Sequence, residues 1–151
     1  MMSEDILTLP SQELVAKYTS ALCERDNDLM QILRAPEFVL DWVHSDAFAN
    51  KPLSQEETSQ FWPAWFLAFP EMDYEITRTI AAENVVVTQW VFTGTQTDKL
   101  GAPIFEPPLD PTGKTIRLRG VSVFDIESGL IQKETMYIDL ATLWVELGVT
   151  R

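Results

Sequence analysis

The sequence has few of the side chains that build disulfides and metal centres. One cysteine, Cys23, stands among 151 residues, which excludes an internal disulfide and a cysteine-rich zinc site. One histidine, His44, excludes metal centres that need two or more histidines. Only a metal site built from carboxylates alone remains open, and we predict no metal site.

Positive charge is also scarce. The chain has 11 Lys and Arg residues against 23 Asp and Glu residues, which gives a formal net charge of −12 at pH 7. Most of such a surface repels a phosphate backbone, so we expect no nucleic-acid partner. An anionic membrane surface is excluded as a partner for the same reason.

Long apolar runs are absent from the sequence. No stretch of about 18 apolar residues occurs, so we expect no membrane-spanning helix. The first five residues, Met1 to Asp5, are acidic and are not followed by the apolar segment of a secretory signal. We therefore expect a cytoplasmic protein.

The composition that remains is that of an ordinary folded domain. Apolar residues make up 46% of the chain and charged residues 23%. A length of 151 residues fits one domain, residues 1–151, of which 1–10 are expected to be a flexible N-terminal segment. The first half reads as helical and the second half as strands, an order that predicts an α+β fold.

Helical spacing and capping residues mark the helices. Residues 11–25 predict a helix capped by Ser11, and a shorter helical piece is expected near residues 29–33. Residues 54–57 match a capping box that begins a helix ending before Pro70. Residues 38–43, between these helices, are ambiguous between a strand and irregular structure.

Alternating apolar and polar residues predict four strands in the second half. A long proline-rich loop, residues 94–114, divides them, and loops of this length are often functional. A short closing helix follows, with Gly148 as its stop. The predicted strands are Met72 to Ala81, Val85 to Thr93, Thr115 to Glu127 and Leu130 to Asp139.

The last two strands form a predicted hairpin about a two-residue turn at residues 128–129. Regular pairing from this turn sets Gly120 opposite Tyr137 and Leu118 opposite Asp139. The small side chains at residues 120 and 122 would then leave a recess beside Asp139, which suits a general base or acid. A slip of one residue, or a bulge, would exchange the two faces.

The other face of this hairpin has a mixed character that fits a contact between two sheets. We expect it to support a homodimer through the outer face of the sheet. Its residues are Val121, Val123, Met136 and Ile138 among Arg119, Asp125 and Glu134.

Aromatic residues are abundant for this length. Most are expected in the core, but some should line a pocket suited to a flat apolar or aromatic ligand. The candidate ligand-binding residues are Trp42, Trp62, Phe66, Trp90, Phe92, Gln96, Ser122 and Tyr137.

Several short motifs, in order along the chain, resemble those of the SnoaL-like polyketide cyclases. Residues 69–74 are similar to the "AFPD" helix-to-strand junction, residues 94–97 to "GTHTG" and residues 111–114 to "PTGK". The similarity covers roughly residues 11–148. The closing hairpin and the "LLxQLG" tail continue it at residues 121–124, 128–131, 137–139, 141–144 and 147–148.

The resemblance implies a cone-shaped α+β barrel of the nuclear transport factor 2-like (cystatin-like) type. A curved mixed or antiparallel sheet would wrap the N-terminal helices and enclose an apolar pocket, and dimers are common in this superfamily. Such cyclases close a ring by aldol condensation without metal or cofactor, and their acid/base aspartate corresponds to Asp139. Gln96, which replaces the family's histidine, is a further polar candidate. Independently of the resemblance, His44 is the only histidine and can titrate near neutral pH, which makes it a candidate catalytic residue, as a second acid/base or an oxyanion donor.

Two other functions remain open at this stage. The same pocket could serve a ketosteroid-isomerase-like or dehydratase-like enzyme. Alternatively, the fold could be a non-catalytic module that binds a small ligand or associates with a second copy, because one fold hosts many functions.

Overall fold

The computed structural model describes residues 9–44 and 47–149. Residues 1–8 of the predicted flexible segment lie outside this range, whereas Pro10 already begins the first helix. The elements are α1 (Pro10–Cys23), α2 (Asn27–Ile32), β1 (Arg34–Val43), α3 (Gln55–Ala68), β2 (Met72–Ala81), β3 (Val85–Thr95), β4 (Thr115–Glu127), β5 (Leu130–Ile138) and α4 (Leu140–Leu147).

Five strands form one mixed sheet in the order β1-β5-β4-β3-β2. β1 runs parallel to β5, and all the other neighbouring strands pair in antiparallel fashion. The segment that was ambiguous in the sequence is therefore an edge strand, and it begins four residues earlier than expected, at Arg34. The α+β class and the mixed sheet agree with the sequence prediction.

Helix ends follow local chemistry in two of three predicted cases. Ser54 and Glu57 form both hydrogen bonds of the capping box at the start of α3. Gly148 ends α4 in the left-handed conformation at φ +73°. Ser11, however, does not cap α1. Its buried hydroxyl lies within the helix and donates to the carbonyl oxygen of Ala82 at 2.6 Å.

The core lies between the sheet's inner face and the helices. Alternate residues of β3 and β4 are buried on this face, and the aromatic side of α3 packs against them. Trp65 meets Phe92 edge-on at 5.3 Å between ring centroids, and Trp62 meets Tyr74 at 6.3 Å. Burial of this apolar surface positions α3 across the mouth of the curved sheet.

A β-bulge changes the register of the β4–β5 hairpin. Glu127 pairs with Leu130 as predicted, but Asp125 then pairs with Lys133, so that Gln132 is the extra residue. Gly120 consequently lies opposite Ile138 rather than Tyr137. The predicted pairing was wrong by one residue, and the two faces of β5 are exchanged relative to it.

Candidate functional site

A small apolar cavity lies inside the curved sheet beneath α3. Its volume is about 10 Å³, close to the smallest space that holds one water molecule. The cavity is thus nearly filled by its own walls. Its lining residues are Phe61, Trp62, Trp65, Tyr74, Trp90, Phe92, Leu118, Met136 and Ile138.

Stacked and edge-on rings fix the shape of this cavity. Tyr74 stacks on Trp90, with centroids 5.1 Å apart and planes inclined by 25°. Trp62 stands edge-on to Tyr74 and stacks on Phe66 at 5.9 Å. Flat walls of this kind favour a flat apolar ligand.

Five of the eight predicted ligand-binding residues lie in or beside the cavity wall. Trp62, Trp90 and Phe92 line it directly. Phe66 stacks behind Trp62, and Trp42 is buried edge-on against Phe61, the ring centroids lying 5.4 Å apart. The Nε1 atoms of Trp42 and Trp62 are buried without a hydrogen-bond partner among the described residues.

Gln96 lies outside the cavity wall and organises the long loop. Its Nε2 donates to the carbonyl oxygens of Asp98 at 3.1 Å and Asp110 at 3.2 Å, with a longer contact to Leu109 at 3.4 Å. Its Oε1 accepts from the backbone N of Thr112 at 3.0 Å and from the hydroxyl of the same residue at 2.7 Å. This fully buried amide holds the loop together, so its predicted place in the pocket is corrected.

Tyr137 and Asp139 lie apart from the cavity, contrary to the recess predicted for them. Tyr137 points to the outer face of the sheet and is 46% exposed. Asp139 is exposed and caps α4, accepting hydrogen bonds from the backbone N of Thr142 at 3.1 Å and from its hydroxyl at 2.5 Å. These bonds lower the pKa of the Asp139 carboxyl, so the group is ionised at neutral pH.

The predicted recess beside Gly120 is occupied by Trp90. A Cβ atom on Gly120 would lie 2.5 Å from Cζ2 of Trp90 and 2.5 Å from the carbonyl oxygen of Tyr137. The missing side chain therefore admits the indole and does not leave a space for the carboxylate of Asp139. The catalytic role of Asp139 stays a prediction that this geometry does not favour.

His44 follows β1 and is half-buried. Its ring lies against Trp42 with centroids 3.9 Å apart, and its carbonyl oxygen accepts from Nδ2 of Asn50 at 3.1 Å. Burial lowers the pKa of His44, so its imidazole is neutral at pH 7. The residue is absent from the cavity lining, and its predicted catalytic role is untested.

A buried polar group that the sequence did not reveal lies behind Trp90. Nε1 of Trp90 donates to the hydroxyl oxygen of Ser122 at 3.0 Å, and this hydroxyl donates to Oε2 of Glu134 at 2.8 Å. Glu134 is 1% exposed, and burial raises the pKa of its carboxyl to about 7. The pairing predicted without a bulge placed Glu134 on the outer face of the sheet. A bulge at Gln132 places it on the inner face, and recognising that bulge would have revealed the group.

Residues 9–44 and 47–149 contain no group of three or more His, Cys, Asp and Glu side chains arranged to hold a metal ion. They also include no helix that is long and apolar enough to span a membrane.

Several solved structures share this fold. A candidate hydroxylase, AclR of Streptomyces galilaeus, superposes with a TM-score of 0.76 at 18% identity, over 91% of this chain and 80% of that one. A candidate SnoaL-like polyketide cyclase of Jannaschia sp. CCS1 gives a TM-score of 0.74 at 17% identity, over 97% and 100% of the chains. IdmH, a candidate polyketide cyclase of Streptomyces antibioticus, gives 0.71 at 23% identity, over 94% and 100%.

The TM-scores of 0.71 to 0.76 show a common fold, and identities of 17 to 23% show nothing beyond it. The predicted α+β fold class of the nuclear transport factor 2-like type is thereby confirmed. No significant sequence match is found among functionally curated proteins. A sequence model of SnoaL-like polyketide cyclases, however, matches residues 12–147, nearly the whole chain. The chain therefore belongs to the SnoaL-like polyketide cyclase family.

Proposed function

We propose that this protein is a cofactor-independent acid/base enzyme that acts on a small apolar or aromatic carbonyl compound. The reaction begins with removal of a proton next to a carbonyl group, the first step of an aldol-type cyclisation. The observation that supports this best is the aromatic cavity beneath α3 in a chain of this family.

One side chain of the otherwise apolar lining could serve a ligand that carries an oxygen atom. Trp62 lines the cavity and has an Nε1 donor without a partner among the described residues. A buried donor left unpaired is costly, and a carbonyl oxygen of the ligand would satisfy it. A bicyclic ligand exceeds the 10 Å³ of free volume, so the proposal requires lining side chains to move on binding.

The proposal is tested with 2-tetralone, a bicyclic benzo-fused ketone whose benzylic protons next to the carbonyl group are activated. Incubation with the protein in D₂O should replace these protons by deuterium faster than buffer does, followed by the loss of their ¹H resonances. Heat-denatured protein is the control. Exchange at the rate of the buffer would contradict an acid/base function on this class of ketone.

Binding is measured separately through tryptophan fluorescence. Trp62 lines the cavity, whereas Trp144 lies on α4 outside it. We expect 2-tetralone to quench the tryptophan fluorescence of the Trp144→Phe variant as strongly as that of the wild type. The fluorescence of the Trp62→Phe variant should be quenched less. Equal quenching in both variants, or none in the wild type, would count against the cavity as the ligand site.

A non-catalytic association module is the second candidate, and the small volume of the cavity favours it. A module of this kind would dimerise and neither bind 2-tetralone nor catalyse exchange. In either case we propose that two copies associate through the outer face of the sheet and that the protein works in the cytoplasm.

A further inference from the structure

One buried cluster of polar side chains is not used by any function considered so far. It lies on the inner face of the sheet, where Thr88 and Ser122 are direct partners on β3 and β4. Ser122 donates to Oε2 of Glu134 on β5 at 2.8 Å. All three residues are at least 98% buried.

Two atoms of this cluster lack partners. Oε1 of Glu134 and Oγ1 of Thr88 are buried without a hydrogen bond to any described residue. Buried polar atoms of folded proteins are nearly always paired, with protein groups or with bound molecules. Thr88 on β3 and Glu134 on β5 flank Ser122, and each has one polar atom that could pair with a polar group from outside the described residues.

Among residues 9–44 and 47–149, no charged or titratable group forms an ion pair with the carboxyl of Glu134. Arg34 of β1 acts on it through its charge, but Nε and Nη2 of that guanidinium donate to the hydroxyl of Tyr18 at 3.0 and 2.9 Å. Tyr18 of α1 and Tyr74 of β2 stay neutral, because burial raises the pKa of each phenol. Burial also raises the pKa of Glu134, to about 7, against the lowering effects of Ser122 and Arg34.

The side chain of Trp90 links the cluster to the wall of the cavity. Trp90 lines the cavity with its ring and binds Ser122 through its Nε1, while Tyr74 stacks on the same ring. Met136, another lining residue, lies two positions after Glu134 on the same face of β5. Movement of the Tyr74 and Trp90 rings would thus extend the apolar cavity towards a polar end.

We infer that Thr88 and Glu134 form the polar end of the ligand site and that Glu134 is the group that transfers the proton. This inference rests on the proposed function and names the residue that performs it. Oε1 of Glu134 takes the proton next to the ligand carbonyl: the C–H bond breaks, an O–H bond forms, and the electron pair enters a carbon–carbon double bond. The resulting enolate oxygen accepts a hydrogen bond from Thr88, and the reverse step returns a proton to carbon.

The test compares deuterium exchange of 2-tetralone in three variants. Glu134→Gln should lower the exchange rate constant by about 100-fold or more, the contribution typical of a general base. Thr88→Val, which keeps the shape but removes the hydroxyl, should lower it by about 10-fold, the effect of losing a neutral hydrogen bond. Glu127→Gln, the same change at an exposed position of the same hairpin, should match the wild type.

The pH profile adds a readout that a structural role would not move. Ionised Glu134 is the base, so wild-type exchange above the buffer rate should rise through pH 7, and this rise should be absent in Glu134→Gln. In addition, protein labelled with ¹³C in its glutamate carboxyl groups should show one resonance that titrates with a midpoint near pH 7. Addition of 2-tetralone should shift this resonance, whereas tetralin, which lacks the oxygen atom, should not. This measurement on the wild type remains decisive if a variant fails to fold.

Failure of the inference differs from failure of the proposed function. If the wild type exchanges 2-tetralone and Glu134→Gln does so equally well, or if Asp139→Asn abolishes exchange while Glu134→Gln retains it, Glu134 is not the base and only the inference is overturned. If the wild type neither binds nor exchanges the ketone, the proposed function is overturned as well. No response of the Glu134 resonance to 2-tetralone would also refute the polar end.

Discussion

Glu134 shows how one side chain can carry a cost that the rest of the fold must offset. Its carboxyl is 99% buried, it receives one hydrogen bond, and its second oxygen has no partner among the described residues. Burial disfavours the charged form, which is why the pKa rises from 4.5 to about 7. Residues with such shifts next to a cavity are often functional.

The raised pKa of Glu134 predicts how stability depends on pH. Below about pH 4.5 the carboxyl is protonated in both the folded and the unfolded state, and its contribution is fully present. As pH rises from about 4.5 to 7, this group ionises in the unfolded chain but stays largely protonated in the folded one, so folding loses up to about 3 kcal/mol, and the loss is complete above pH 7. Urea unfolding of the wild type at pH 5 and pH 8, relative to Glu134→Gln, should show this loss.

Glu127→Gln serves as the control for that comparison, because its exposed carboxyl should leave the difference between the two pH values as in the wild type. If the stabilities of the wild type and Glu134→Gln run parallel from pH 5 to pH 8, the pKa of Glu134 is not raised by burial as described above.

At the scale of the element, β4 depends on the absence of a side chain at Gly120. This residue pairs with Trp90 across the sheet and gives the indole room to reach Ser122. Gly120→Ala would bring its Cβ within 2.5 Å of both Trp90 and a backbone oxygen, and neither can move freely. We expect a loss of about 3 kcal/mol in unfolding free energy, measured by urea denaturation.

Gly101→Ala is the matched control for Gly120→Ala. Its Cβ would meet Pro108 at 3.6 Å, an ordinary contact, so stability should change by less than about 0.5 kcal/mol. Comparable stabilities of the two variants would show that Trp90 is not held against β4 as described.

Local chemistry explains which elements the sequence predicts well. The capping box at Ser54, the turn at residues 128–129 and the stop at Gly148 each depend on residues within four positions, and all three were predicted correctly. The register of β5 was predicted wrongly. The extra residue, Gln132, moves every later side chain of the strand to the opposite face of the sheet. In the structure, Nε2 of Gln132 donates to the carbonyl oxygen of Glu127 at 2.8 Å, a contact that the sequence does not reveal.

The same reversal explains which parts of the candidate site could be predicted. Trp62, Trp90 and Phe92 lie on α3 and β3, whose periodicity is regular, and they line the cavity, while their part in ligand binding stays a prediction. Tyr137 and Glu134 lie beyond the bulge, and their predicted sides were exchanged. Packing between distant parts of the chain fixes such a register, so the register cannot be predicted from the sequence of one strand alone.

At the scale of the whole molecule, the outer face of the sheet is the surface best suited to a second copy. Val43, Val91, Val121 and Tyr137 line a shallow concavity there, in a chain whose net charge of −12 otherwise favours separation. The bulge adds Tyr137 to this face and removes the Met136 and Glu134 expected from the sequence, so the interface we propose differs in composition from the predicted one.

Homodimerisation is tested by placing one charge on this face. Val121 lies between Gln89 and Tyr137 at its centre, and Val121→Arg should weaken the dimer by about 100-fold, because an unpaired charge would be buried in the contact. Val145→Arg makes the same change on the exposed side of α4, at a residue that is 76% exposed, and should leave the dimer intact. Sedimentation equilibrium at micromolar concentrations measures the dimerisation of both variants.

A monomeric wild type, or a Val121→Arg variant as dimeric as Val145→Arg, would show that the outer face is not the contact. A dimer lost in both variants would trace the effect to net charge, because the two substitutions alter it equally.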